Sequence, residues 1–157
     1  MKISLYLNGR TTERSIAAAI DEYSARIGKY NPFEVVVLPD LKNTRNMPAE
    51  EQKAREGIKI IQSLRNDDFV VLLDEKGKEF TTLEFAGWLE KLLMSSHRRI
   101  VFITGGPWGF SSEVYDRAHM KLSLSKMTFT HQMVRLLFLE QLYRIFTVIK
   151  GDPYHHQ

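Results

Sequence analysis

The chain is expected to fold as an α/β protein with a largely parallel sheet of about five strands, on three observations. Short β-branched and apolar runs alternate with longer stretches whose apolar residues recur at helical spacing. The one strongly glycine-rich turn, Gly105-Gly-Pro-Trp-Gly109, follows an apolar run and precedes a helical pattern. The 157 residues contain no internal repeat, low-complexity tract or linker, so a single domain spanning residues 1–157 accounts for them.

Taken in order, Lys2–Leu7 alternates as a strand, and Asn8-Gly-Arg10 breaks it. Ile16, Ala17, Ile20, Tyr23 and Ile27 predict a helix over 12–27 that Gly28 stops. Phe33–Leu38 reads as a buried strand closed by Pro39, and Asp40–Met47 as a polar surface loop. Pro48-Ala-Glu-Glu51 opens a helix to about Leu64, with acids at the positive end of its dipole. Phe69–Leu73 is an apolar strand, and Asp74–Lys78 a charged turn. Thr81-Thr-Leu-Glu84 is a capping-box pattern that introduces a helix to about Met94. Arg99–Thr104 is a further strand, ending at the glycine-rich turn; a short helix follows over 111–118. Lys121–Ser125 predicts the last strand, residues 126–130 a loop, and His131 the start of a helix reaching about Ile149. The tail, Gly151–Gln157, is too short and polar to be a domain.

Composition narrows the function classes. No apolar run approaches the roughly 18 residues of a membrane span, and the N-terminus lacks the pattern of a signal peptide. With no cysteine, thiol catalysis, disulfides and cysteine-ligated zinc are excluded. A cytoplasmic location is the expectation that remains. The formal charge of +3 is mildly basic and fits nucleic acid, an acidic partner or a solvated surface.

Chemistry-bearing residues gather at the junction between the last strand and the last helix, where open α/β sheets place ligands. The glycines at 105, 106 and 109 let main-chain groups approach a ligand, or else simply make a tight turn; the pattern is no nucleotide fingerprint. His131 and Arg135, four apart, share a helix face and could serve phosphate binding or proton management. The alternative is an exposed first turn. The last helix is apolar almost all round, which predicts burial on two sides and a second subunit as the economical cover. No metal constellation stands out; His155-His156 is adjacent rather than facing.

Leu73-Asp74, Gly77-Lys78, Gly105-Gly-Pro-x-Gly109, Leu122-Ser-Leu-Ser-x-Met-Thr-Phe129, His131-Gln-Met-x-Arg135, Glu140-Gln-x-Tyr-Arg144 and Pro153-Tyr-His155 together form one ordered pattern. On these motifs the chain resembles, from end to end, the ribosomal large subunit methyltransferase H family of the SPOUT superfamily. The resemblance implies an α/β knot with helices on both faces of the sheet and a C-terminal trefoil knot over about residues 100–150. It also implies a homodimer that uses S-adenosylmethionine to methylate N3 of a pseudouridine in 23S rRNA on the assembled ribosome. By position, it implies a cofactor pocket of Leu73, Gly105, Leu124, Ser125, Lys126, Met127, Thr128 and Phe129. It implies that His131, Arg135, Tyr143, Arg144, Tyr154 and His155 face RNA or the target base. Since N3 must lose its proton, Arg135 could stabilise the anionic base or orient phosphate, with water, His131 or the base's own acidity handling the proton. One departure is Thr130, where the family has proline; a threonine there can cap the helix instead. The alternative function is an RNA-binding factor of the same fold without the chemistry. A flavodoxin-like nucleotide binder shares the βα alternation but leaves the doubly apolar last helix unexplained.

Overall fold

The computed structural model describes residues 1–156; Gln157, the end of the polar tail, lies outside them. Five parallel strands form one sheet: β1 (Lys2–Asn8), β2 (Phe33–Leu38), β3 (Phe69–Glu79), β4 (Arg99–Thr104) and β5 (Met120–Ser123), in the order β2-β1-β4-β3-β5. The helices are α1 (Arg14–Gly28), α2 (Ala49–Ser63), α3 (Thr82–Leu93), α4 (Ser112–Arg117) and α5 (His131–Lys150).

Connection direction decides which face each helix covers, because parallel crossovers keep one hand. The β1-to-β2 and β3-to-β4 connections run one way across the sheet and put α1 and α3 on one face. The β2-to-β3 and β4-to-β5 connections run the other way and put α2 and α4 on the opposite face. Strand alternation serves both layers. Ile3, Leu5, Val71, Ile100 and Phe102 pack beneath α1, α3 and α5, while Tyr6, Val70, Leu72, Val101 and Ile103 pack with Ile60 of α2 and Val114 of α4. The register keeps the C-terminal ends level: Leu7 pairs with Val37, Tyr6 with Ile103, and Leu73 with Thr104 and Leu122. At the N-terminal ends of β3 and β4, Arg99 Nε and Nη2 hold the buried Asp68 carboxylate at 2.8 and 2.6 Å. Burial pushes the Asp68 carboxyl up, and the Arg99 hydrogen bonds bring it back below its ordinary value.

Local expectations mostly hold, because they rest on local chemistry. The capping box is complete: Glu84 N donates to Thr81 Oγ1 and Thr81 N to Glu84 Oε2, at 3.1 and 2.8 Å. Thr130 caps α5, accepting from Met133 N at 3.2 Å. Gly57 is more than tolerated in α2, since a Cβ there would stand 2.3 Å from Ser111 Oγ.

Three boundaries differ from expectation by more than one residue. α1 begins at Arg14 rather than at residue 12. The charged segment after Leu73 is an excursion within β3, not its end: pairing with β5 jumps from Leu73↔Leu122 to Lys78↔Leu122 and continues at Glu79↔Ser123. β5 stops at Ser123, because Ser125 Oγ accepts Met127 N at 2.9 Å and turns the chain away.

α5 lies against both α1 and α3 and over β4, in the middle of the sheet. It buries Phe138, Leu139, Leu142, Ile145 and Phe146 there and leaves Met133 exposed and Leu136 and Leu137 half-buried. Two flanking helices thus account for much of the apolar girth that the sequence assigned to a second subunit.

Candidate active site

To pass from edge strand β5 to α5 over β4, residues 124–130 cross the C-terminal ends of β3 and β4. The crossing encloses a cleft of about 560 Å³, within the usual range for a small-molecule or cofactor site. Leu73, Leu122, Leu124, Met127, Phe129 and Val134 give it an apolar wall, while Asp74, Glu75, Ser125 and Thr128 supply polar groups. Gly105, Gly106 and Gly109 line one side. Gly109 has φ +83° and donates its N–H to Gly106 O at 3.2 Å, a turn that disfavours any residue with a Cβ. Thr128 Oγ1 donates to Glu75 Oε2 at 2.9 Å, tying the crossing segment to the β3 excursion. The Tyr115 hydroxyl donates to Asp74; burial, and then that carboxylate, push its pKa up to about 12. Among the described residues, no backbone-to-backbone hydrogen bond outside the strands and helices uses residues 124–129. Ser125 O accepts from Ser123 Oγ and Met127 N donates to Ser125 Oγ, which leaves the other main-chain groups of the segment available to a ligand.

Seven of the eight expected cofactor positions line this cleft: Leu73, Gly105, Leu124, Ser125, Met127, Thr128 and Phe129. Lys126 does not; its side chain faces solvent from the outside of the turn.

A second cleft of about 220 Å³ adjoins the first, with Pro107 and His131 lining both. Here the structure separates the expected pair. His131 is exposed, but Arg135 is only 1% exposed, so it is no surface phosphate ligand. Its Nη1 donates to Thr11 Oγ1 at 2.9 Å and its Nη2 to Asn8 O at 3.0 Å, while Nε has no partner among the described residues. Burial lowers its pKa, against the pull of Asp40. The β1–α1 turn is docked onto α5 by Gln132 as well, whose Oε1 accepts Thr12 N at 2.9 Å.

The sequence reading missed the acid of this cleft. Glu56 of α2 is 7% exposed and accepts from Asn8 Nδ2 at 2.9 Å and Gln52 Nε2 at 3.0 Å. A Cβ on Gly106 would stand 2.4 Å from Glu56 Oε2. Gln52, Glu56 and Ile60 recur every fourth residue, one line down α2; a polar pair in register with a core isoleucine was the only available signal.

Tyr143, Arg144, Tyr154 and His155 come together, but at the far end of α5, about 13 Å along the helix from Arg135. Gly151, with φ +76°, turns the tail back. Arg144 Nε donates to Glu140 Oε1 at 3.0 Å, its Nη1 meets His155 Nδ1 at 3.3 Å, and its guanidinium lies 4.8 Å from the Tyr154 ring centre. Burial, Tyr23 and Glu140 push Tyr154 up to about 12. This cluster lines neither cleft. Among the described residues, no group of three or more His, Asp or Glu is placed to hold a metal, and no helix is long and apolar enough to cross a membrane.

The chain matches a family described as "Predicted SPOUT methyltransferase" over residues 1–155. It is 51% identical to a Bacteroides fragilis protein named ribosomal RNA large subunit methyltransferase H, over 157 residues and the whole of both chains. Proteins of the same name from Parabacteroides distasonis and Christiangramia forsetii are each 50% identical, again over the full length of both chains.

Proposed function

We propose, from the premise that this chain belongs to the SPOUT methyltransferase family, that it methylates N3 of a pseudouridine in 23S rRNA on the assembled ribosome. The observation that carries this reading is the cleft of about 560 Å³ built where residues 124–129 cross the ends of β3 and β4. We take that crossing to be the threading of the family's trefoil knot.

The lining suits S-adenosylmethionine. Leu73, Leu124, Met127 and Phe129 would enclose the adenine, and the main chain of 124–129 and Gly105 would bond adenine and ribose. When bound, the cofactor supplies a methyl group made electrophilic by a sulfonium sulfur. The chain must then hold the base in line, keep water out and tolerate the negative charge left as N3 loses its proton. Arg135 supplies positive charge behind the second cleft, already fixed by Thr11 and Asn8 and needing no rearrangement. The N3 proton leaves to solvent or to His131 at the shared wall; a positioned base contributes about 10²–10⁴ in rate.

RNA contact is assigned to Tyr143, Arg144, Tyr154 and His155. Their distance from the cleft in one subunit favours a homodimer, in which antiparallel α5 helices bring one subunit's cluster towards the other's cleft. Calorimetry tests the cofactor assignment. S-adenosylmethionine should bind the wild type, and Gly105→Val, which fills the glycine side of the cleft, should weaken it at least about tenfold; equal affinity would remove the cleft from the reading.

A further inference from the structure

The second cleft buries, beside the cation Arg135, an acid that the proposed reaction does not use, Glu56. Every hydrogen bond of Glu56 and Arg135 goes to a neutral group: Asn8 Nδ2 and Gln52 Nε2 for the acid, Asn8 O and Thr11 Oγ1 for the cation. Asp40 lines the same cavity and pulls on Arg135, but among the described residues neither Glu56 nor Arg135 forms an ion pair. Burying charges without such pairing is costly, so a fold that keeps both in one small cavity is matched to something that enters it. Both have unused capacity. A carboxylate accepts about four hydrogen bonds and Glu56 accepts two; Arg135 Nε has none.

An acceptor and a donor in a polar cavity of about 220 Å³ complement a flat group that carries N–H beside C=O. The volume lies below the roughly 300 Å³ at which cofactor-sized pockets begin, and suits one nucleobase. Trp108, 54% exposed and lining the first cleft, donates its indole N–H to Gln52 Oε1 of the second at 3.2 Å, joining the two walls. Pro107 and His131 line both cavities, so an occupant here abuts the methyl-donor cleft.

We propose that the second cleft receives the target base and that Glu56 determines its identity, accepting the N1–H that pseudouridine carries where uridine presents C5–H. This rests on the methyltransferase reading above. Arg135, in the wall of the same cleft, sets its positive charge beside a ring carbonyl. A site built around a hydrogen bond discriminates sharply against an analogue that lacks the group, because its buried polar atom is then left unpaired.

The test is single-turnover methyl transfer to ribosomes lacking the methyl group and bearing either pseudouridine or uridine at the target position, with cofactor affinity measured alongside. Wild type should prefer pseudouridine by at least about 10². Glu56→Gln should erase most of that preference by slowing the pseudouridine reaction alone, with cofactor affinity within about twofold. Glu50→Gln, which removes an exposed acid of the same helix that lines neither cleft, should retain the preference. Glu56→Asp, which retracts the same charge by one methylene, replaces Glu56→Gln if that variant does not fold. Equal loss on both substrates, a matching loss in Glu50→Gln, or weakened cofactor binding would overturn the inference. No transfer by wild type to either ribosome would overturn the underlying reading and this inference together.

Discussion

Arg135 sets its charge at a point fixed by two oxygens of the β1–α1 region, Thr11 Oγ1 and Asn8 O. A lysine there keeps the charge but cannot reach both oxygens from one fork. Arg135→Lys should therefore lower turnover by about 10², the usual cost of losing one preorganised donor, and leave S-adenosylmethionine affinity intact. Wild-type turnover in Arg135→Ala would end the electrostatic assignment altogether. His119 gives a second test at this scale. Its Nδ1 accepts Val70 N at 3.0 Å and must be unprotonated to do so. Burial, with Arg117 and His97 nearby, holds its pKa below the ordinary value. The unfolded chain then binds the proton more readily, so this contribution is full above about pH 6.5 and drains away as pH falls towards the folded pKa. The melting temperature of His119→Gln should decline less steeply than wild type between about pH 7 and 5; parallel curves would contradict this.

At the scale of elements, β3 and β5 approach so closely at Gly77 that a Cβ would stand 2.6 Å from Lys121 C and 2.7 Å from Leu122 N, both backbone atoms. Gly77→Ala should cost about 1–3 kcal/mol in urea unfolding, whereas Gly87→Ala, with open space around it, should be neutral or stabilising. The same comparison explains what the sequence discloses. The Thr81–Glu84 box, the Thr130 cap and the strand cores are readable because donor and acceptor lie within a few residues of each other. The resumption of β3 at Lys78 is not, since its partner Leu122 lies on a strand that forms 44 residues later. Arg135 looked like a surface residue for the same reason: the oxygens that bury it are 124 and 127 residues away. Of the candidate site, the run that lines the first cleft was legible through its motif, and Glu56 was hidden among the charges of an ordinary amphipathic helix.

For the whole molecule, one hand of crossover and an alternating direction of connection give the layers, and α5 closes the sheet face between α1 and α3. The same path gathers the C-terminal ends of β1, β3, β4 and β5 around two adjoining clefts, while the aromatic and basic tail cluster stays at the other end of α5. If two subunits share recognition, Arg144→Ala and Arg135→Lys proteins, each impaired alone, should recover part of their activity when mixed as heterodimers; no recovery would place both residues in one subunit's site. The measurement that bears most directly on the central claim is transfer of tritiated methyl from S-adenosylmethionine to ribosomes lacking the modification, followed by nuclease mapping of the labelled nucleotide. The account predicts label on N3 of a single pseudouridine in 23S rRNA. Cofactor binding without incorporation into 23S rRNA, or label on another base, would contradict it.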